Sequence, residues 1–181
     1  NIGAAYIYHY ETNTWVLQDI VTPSDGASYE EFGTSVSITD NFAIVGSPKH
    51  NSNAGAAYIY EKNGTDWNSN ETKITASGSK VGYSVSINED KAIIGTQGSN
   101  LAFVYEYSAK GWSQIKQFSG SSDQFGEAVS IYNNTVLVGN WGINNMTGEA
   151  KIYTHIGGSV WNEQTLSTSG INADDRFGNA V

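Results

Sequence analysis

The sequence contains no cysteine, so disulfide bonds contribute nothing to its stability and cysteine usage says nothing about the redox compartment. Basic residues are scarce, with 9 Lys and Arg against 18 Asp and Glu. Because phosphate binding needs clustered basic side chains, this balance disfavours a nucleic-acid surface, and it disfavours an anionic membrane surface for the same reason. The sequence also lacks an apolar run long enough to span a membrane. We therefore expect no nucleic-acid partner and no membrane insertion within this segment.

Glycine and aromatic residues are plentiful, with 20 glycines and 12% aromatics, while only 15% of the chain is charged. The stretch 32–60 alternates apolar and polar residues in FGTSVSI, turns at TDN, runs through FAIVG and reaches GAAYIY after a polar loop. Period-two alternation places every second side chain of a strand on one face. This stretch therefore predicts three strands joined by a tight turn and a loop.

The same pattern recurs along the whole chain. The Phe32-Gly33 pair returns as Val81-Gly82, Phe125-Gly126 and Phe177-Gly178, and the aromatic strand begins again at positions 3, 55, 101 and 148. A tryptophan follows three of those aromatic strands at nearly constant distance, at Trp15, Trp67 and Trp161. A repeat of roughly 40 to 50 residues carrying four strands, A to D, is typical of a β-propeller blade, whose small sheet must stack on its neighbours.

The segments FGTSVSI, IVGSP and GAAYIY, followed by tryptophan, resemble the FG-GAP repeat family. The resemblance is closest to the subgroup with an acidic lead-in before the FG pair, here 25–31, Asp123 and Asp174-Asp175. It implies an all-β fold, a propeller of four-stranded antiparallel blades like that of integrin α chains, which has seven blades. We expect a partial blade at 1–31, blades at 32–80, 81–124 and 125–176, and the start of another at 177–181. On this reading the chain is a segment of a larger ring.

The recurrent glycines have a structural explanation. We expect the FG glycines to lie where strand A enters the crowded centre of the propeller, where a side chain would collide with neighbours or demand an unfavourable φ. No helix follows them and no phosphate-binding glycine motif occurs. The glycines concerned are Gly33, Gly82, Gly126 and Gly178.

The repeats give little indication of a metal-binding site. In the integrin-type relatives calcium lies in the loop between strands A and B, but here the matching stretches, such as Thr39-Asp40-Asn41, are turns too short to wrap an ion that takes six to eight oxygens. We therefore expect no cofactor. The acidic lead-in offers weaker calcium candidates, for which turn-stabilising carboxylates are the favoured alternative. These candidates are Asp25, Asp123, Asp174 and Asp175.

Ligand contacts are expected in the loops between strands B and C. The tryptophans of the repeat are predicted to pack on the outer strands, whereas Trp141 breaks the repeat and lies in the long loop 140–147. The candidate ligand-binding residues are Trp141, Asn140, Asn144, His50 and Asn51. His9, His50 and His155 are scattered and no nucleophile motif is present, so we expect no catalytic residues and no enzyme.

Four N-x-S/T sequons, at Asn63, Asn70, Asn133 and Asn145, are candidates for glycosylation, although their number is close to that expected by chance. The family resemblance and the loops favour an extracellular or cell-surface recognition or adhesion module that binds a protein or glycan through one propeller face. The alternative is a structural subunit of a surface layer, sheath or filament that assembles with copies of itself. A third hypothesis is a scaffold beside a catalytic domain.

Overall fold

The computed structural model describes residues 2–166 and 169–181, and within them the fold is almost entirely β. A two-stranded sheet is followed by three four-stranded sheets, and all of them are antiparallel. The strands are β1 (Ala5–Glu11) and β2 (Thr14–Val21); β3 (Val36–Ile38), β4 (Phe42–Ser47), β5 (Ala56–Glu61) and β6 (Glu71–Ile74); β7 (Ser84–Asn88), β8 (Lys91–Gly95), β9 (Leu101–Ser108) and β10 (Gly111–Ser119); β11 (Phe125–Tyr132), β12 (Thr135–Asn140), β13 (Glu149–Gly157) and β14 (Val160–Leu166). A single helical turn, α1 (His50–Asn53), lies between β4 and β5. No helix among the described residues has the length and apolar character that crossing a bilayer requires.

Each four-stranded sheet is a meander in which consecutive strands are neighbours. In the second sheet, for example, Val45 of β4 lies opposite Val36 of β3 on one side and Tyr58 of β5 on the other. This is the strand order A to D that the repeat predicts. The prediction of an all-β fold built from four-stranded antiparallel blades is thus confirmed.

The apolar cores lie between successive sheets. Ala43 and Val45 of β4 join one cluster with Ile7 and Val21 of the first sheet, whereas Ile44 joins another cluster that reaches the third sheet. A third cluster lies between the third and fourth sheets. Because alternate residues of a strand point to opposite faces, a strand with both faces buried reads as a continuous apolar run, as β4 does.

The sheets approach one another most closely through glycines. A Cβ added at Gly46 would lie 1.9 Å from the carbonyl oxygen of Gly82, and one added at Gly95 would lie 1.9 Å from that of Gly126. Gly33, Gly82, Gly126 and Gly178 have φ values between +82° and +97°. Both expected reasons for glycine, crowding and a left-handed backbone, are therefore present at this repeat position.

The tryptophans differ from one another more than the repeat predicts. Trp67 is buried but lies before β6, because a two-residue turn between Asn63 and Asp66 delays the start of that strand until Glu71. Trp112 and Trp161 are half-buried against Phe42 and Phe118. Trp15 is 68% exposed and contacts Tyr10, so the expected packing role is wrong for this copy.

The glycine contact gives a direct test of blade stacking. We expect Gly46→Ala to lower the free energy of unfolding by about 3 kcal/mol or more, because the new methyl overlaps the Gly82 carbonyl and the backbone cannot rotate away as a side chain could. Gly64→Ala is the matched control: its Cβ meets nothing within 4 Å, so only its φ of +64° carries a cost, about 1 kcal/mol. Denaturant unfolding measures both, and equal losses would contradict the stacking explanation.

Candidate functional site

Two loops that are separate in sequence, one before β3 and one after β4, meet at one end of the second sheet. The loop before β3 and the loop after β4 are joined by hydrogen bonds to the carbonyl oxygen of Glu30, from the Lys49 N–H at 3.1 Å and from the Ser47 hydroxyl at 2.9 Å. In the fourth sheet the loop after β12 contacts the lead-in that follows the sheet, since the Arg176 N–H donates to the Met146 carbonyl, as the Lys80 N–H donates to the Asn53 carbonyl beside the second sheet. The loops expected to share one propeller face therefore do lie together. We call the two joined loops of the second sheet, residues 22–35 and 48–55, the paired loops.

A buried histidine lies beneath the paired loops. His50 is only 8% exposed, with its Nδ1 atom 3.0 Å from Glu30 Oε2 and its Nε2 atom 2.7 Å from Lys73 Nζ. An ammonium group can only donate, so Nε2 must accept from Lys73 and Nδ1 must carry the proton that is donated to Glu30. The arrangement thus requires the neutral ring in one defined tautomer.

Asp25 and Tyr58 complete this network. The Asp25 carboxylate accepts from Lys73 Nζ at 2.6 Å and from the Tyr58 hydroxyl at 2.9 Å. The hydrogen bond from Lys73 lowers the pKa of Asp25 below its ordinary value, although burial opposes this shift. Burial, reinforced by the hydrogen bond to Asp25, raises the pKa of Tyr58 far above its ordinary value. Asp25 is therefore held as an anion and Tyr58 as a neutral donor.

Glu30 links the network to the backbone of both loops. Its carboxylate accepts from the N–H of Ala27 at 2.9 Å and from the N–H of Asn51 at 3.2 Å. Burial alone would raise the pKa of Glu30, but these two N–H groups and His50 together lower it. One charged side chain thus fixes the positions of both loop backbones.

The tips of the long loops carry unusual backbone conformations. Asn51, Ser52 and Asn53 are exposed and have φ values of +48°, +58° and +72°. In the fourth sheet the exposed residues Asn144, Asn145 and Met146 have φ values of +53°, +56° and +61°. A left-handed residue other than glycine costs about 1 kcal/mol or more, and such conformations persist only where the surroundings impose them. The sequence offered only the asparagines, which tolerate this region, as a signal.

The candidate Trp141 is held by residues outside its own loop. Its indole N–H donates to Glu127 at 2.9 Å, and the Arg176 guanidinium lies 5.1 Å from the ring centroid. Asn140 is fully buried, with its amide donating to Glu149 at 3.0 Å and its carbonyl accepting from Ser122. Asn140 therefore supports the loop and does not reach the surface, whereas Asn144 does.

The remaining predicted residues are placed as follows. The structure brings Asp25, His50 and Asn51 together in the paired loops, but the described residues show no contact between His50 and Trp141. Asp175 accepts from the N–H of Asn172 at 2.6 Å, which is the turn-stabilising role given as the alternative to calcium binding. The other acidic candidates outside the network and the four sequon asparagines are all exposed: Asp123, Asp174, Asn63, Asn70, Asn133 and Asn145.

Metal-binding geometry is not found in the described ranges, where no three His, Cys, Asp or Glu side chains form a group suited to an ion. In the network, the Lys73 ammonium occupies the space between Asp25 and His50. Sequence reasoning included Glu30 in the acidic lead-in, where carboxylates accepting backbone N–H groups were the favoured alternative to calcium, but missed Tyr58 and Lys73 as members of this network. Tyr58 and Lys73 lie on adjacent strands, directly opposite each other, and only the strand register could have shown that they meet.

A comparison of the sequence with known protein families tests the family assignment of the repeat. A family model described as FG-GAP repeat matches residues 15–60 and 119–153. These two segments are FG-GAP repeats. The matched segments include strands β3, β4 and β5 of the second sheet and β11 and β12 of the fourth, so the resemblance drawn from the FG, IVG and GAAYIY segments is confirmed.

Solved structures agree on the fold. The crystal structure of Sqt1 from Saccharomyces cerevisiae superposes with a TM-score of 0.54 at 11% identity, over 76% of this chain and 36% of that one. At this identity the likeness concerns the fold alone. The FG-GAP chain spans about a third of the length of Sqt1. A search of curated proteins finds no match.

The buried histidine can be tested by substitution. We expect His50→Ala to lower the free energy of unfolding by about 2 kcal/mol, because Glu30 and Lys73 lose a buried hydrogen-bond partner. His9→Ala is the control, since its hydrogen bond to Glu11 is exposed, and should cost less than about 0.5 kcal/mol. Thermal and denaturant unfolding measure both, and an unchanged His50 variant would contradict the network.

The network also predicts an acid dependence. The folded pKa values of Asp25 and Glu30 lie below their ordinary ones, so these carboxylates stabilise the fold above about pH 4.5 and lose that contribution as the pH falls through their folded values. The double variant Asp25→Asn, Glu30→Gln should therefore lose less stability than the parent between pH 5 and pH 3 in denaturant titrations. Asp40→Asn, at an exposed turn, is the control and should follow the parent.

Proposed function

We propose that this FG-GAP chain is an extracellular or cell-surface recognition and adhesion module that binds a protein or glycan through the paired loops and the corresponding loop of the fourth sheet. The observation that carries the proposal is the fixation of the exposed, left-handed tip at residues 51–53 by the network around the buried His50. FG-GAP repeats and a propeller-like fold are together typical of protein-interaction modules, and the family's occurrence in cell-surface proteins supports the location. The resemblance further favours a seven-bladed ring.

Preorganisation is the physical argument for binding. A loop that is already ordered loses little conformational freedom when a partner binds. The α1 tip is ordered by Glu30, which accepts from the N–H of Asn51, while its residues 51–53 remain exposed. The structure thus maintains a strained, rigid surface whose side chains make few contacts within the chain. Strained backbone conformations are common at binding sites, where the partner recognises the conformation itself.

The side chains around the tips suit protein recognition. Tyr29, at the turn of the first of the paired loops, is 85% exposed and has a φ of +74°. Tyrosine and asparagine supply large contact area and adaptable hydrogen bonds at low entropic cost, which is why binding loops favour them. The net charge of −9 favours a partner with basic surface.

The proposal requires no metal cofactor, because Lys73 already neutralises Asp25 inside the network. Calcium at the exposed candidates Asp123, Asp174 and Asp175 stays a prediction. A structural subunit that assembles with copies of itself is the second candidate function. It is supported by the composition of the chain, of which only 15% is charged and which holds 11 tyrosines.

An adhesion assay tests the proposed function. The chain is immobilised and probed with cultured animal cells and with an array of defined glycans, alongside a variant in which residues 49–54 are replaced by glycine and serine. We expect the parent to retain cells or specific glycans and the loop variant to lose at least about 90% of that signal, a tenfold loss of affinity. Tyr132→Ala, which removes an exposed tyrosine at the end of β11, is the control and should bind like the parent. Equal binding by parent and loop variant would overturn the assignment to the paired loops.

A further inference from the structure

A polar groove of about 200 Å³ lies between the third and fourth sheets, at their outer strands β10, β13 and β14. Lys116 and Ser119 of β10 line it from the third sheet, and Tyr153, Trp161 and Glu163 line it from the fourth. Both sheets have four paired strands among the described residues. The groove is therefore a feature of two complete sheets and does not rest on an unpaired strand edge.

A tyrosine recurs at one position of strand C, where its hydroxyl bonds the residue opposite it on strand D. Tyr60 donates to Glu71 Oε2 at 3.1 Å, and the two residues lie directly opposite each other in β5 and β6. Tyr105 donates to Gln114 Oε1 at 3.3 Å, again between directly opposite positions, in β9 and β10. In the second and third sheets the hydroxyl of this tyrosine is thus satisfied within its own sheet.

The fourth sheet breaks this pattern. Tyr153 lies directly opposite Glu163, but the Glu163 carboxylate accepts from Lys151 Nζ at 2.5 Å instead. The position of Lys151 is held in the second and third sheets by Tyr58 and Phe103, neither of which is a cation. Among the described residues the Tyr153 hydroxyl therefore has no hydrogen-bond partner, although this side chain is only 3% exposed.

The Tyr153 hydroxyl is a fixed donor at the floor of the groove. A buried hydroxyl is unfavourable unless it is hydrogen-bonded, so this group favours any ligand that can accept from it. Burial, reinforced by the nearby Glu163 carboxylate, raises the pKa of Tyr153, which keeps the hydroxyl protonated. Phe118 stacks on the tyrosine ring with centroids 3.8 Å apart and holds it in place.

The charged groups beside Tyr153 select the chemistry of a ligand. Lys116 forms no ion pair with a described residue, and its ammonium, 5.6 Å from the Phe118 centroid, can only donate. The Glu163 carboxylate can only accept, and it has lone pairs beyond the one that Lys151 uses. A hydroxyl both donates and accepts, so neighbouring hydroxyls on one ring can satisfy all three groups. An anionic ligand would instead meet Glu163 with like charge.

We propose that the groove between the third and fourth sheets is a binding site for one neutral sugar ring of a glycan. Tyr153 and Lys116 donate to hydroxyls of the ring, and a hydroxyl donates to Glu163. Trp161, which stacks on His155 with centroids 4.6 Å apart, provides a fixed apolar surface for the C–H groups of the sugar. The volume suits a single ring, from which a longer glycan continues into solvent. The site is separate from the paired loops.

The test is an NMR titration of the chain with the methyl glycosides of glucose, galactose, mannose and N-acetylglucosamine. At least one of them should bind with a Kd of about 1 mM, as expected for a small ligand held by a few hydrogen bonds. Tyr153→Phe should weaken that binding about fivefold, because one hydrogen bond is lost. The same change should leave the unfolding equilibrium unaltered, because the hydroxyl has no partner within the described residues.

Tyr105→Phe is the matched control, since it removes the hydroxyl at the same position of the third sheet, where Gln114 accepts from it. It should leave sugar binding unchanged and raise the unfolding equilibrium constant about fivefold. The variant with residues 49–54 replaced should bind the sugar like the parent, which separates this site from the paired loops.

Lys151→Met tests why the hydroxyl is free. Without the ammonium, Glu163 should accept from Tyr153 as Glu71 accepts from Tyr60, so sugar binding should fall about fivefold. Failure of all four sugars to bind would overturn the proposal, as would equal binding by the parent and Tyr153→Phe. Equal losses of stability in Tyr153→Phe and Tyr105→Phe would also overturn it, because the hydroxyl would then be satisfied without a ligand. Tighter binding of methyl glucuronide than of methyl glucoside would contradict a neutral ring and overturn it too.

Discussion

The close approach of backbones at glycine is the constraint on which the rest of the structure depends. Where Gly46 meets Gly82 and Gly95 meets Gly126, two sheets come together with no room for even a methyl group. This contact fixes the distance and orientation of neighbouring sheets at their crowded end. The aliphatic side chains of β4, β8 and β12 then fill the space between sheets, and both faces of β4 and β8 are buried. Glycine therefore determines the geometry, and the apolar residues provide the stability.

Rigid stacking leaves the loops free to differ. The loop between β4 and β5 and the loop between β12 and β13 are long and end in left-handed turns, while the loop between β8 and β9 is short and has one left-handed asparagine, Asn100. The network of the buried His50 with Glu30, Lys73 and Asp25 is found at the second sheet and at no other sheet within the described residues. Shape and charge at the loop end thus vary from sheet to sheet, although the strands beneath them repeat. This division suits a surface that recognises a partner.

Sequence reasoning predicted the strands well because their signal is local. Alternation in FGTSVSI, the glycine after AIV and the aromatic GAAYIY segment each indicate whether their own residues are buried, exposed or at the end of a strand. The recurrence of each segment along the chain supports that prediction. The buried network could not be predicted in this way, because Lys73 and Tyr58 meet through the pairing of β5 with β6 and Glu30 comes from a loop. Trp15 and Asn140 show the same limit: repeat position predicted packing for the first, and a place in the loop 140–147 made the second a candidate for ligand contact. Their true environments depend on which neighbours lie beside them.

The order of strands also affects how the chain can fold. Every sheet is made from consecutive strands, so each one closes from a continuous stretch of sequence without waiting for distant residues. Contacts of this kind favour fast formation within a sheet, because little loop-closure entropy is lost before pairing begins. Sheets then couple only to their immediate neighbours, as in linear repeat arrays. A chain that leaves the ribosome from its N-terminus can therefore acquire its structure one sheet at a time. Each completed sheet then provides the surface on which the next sheet packs.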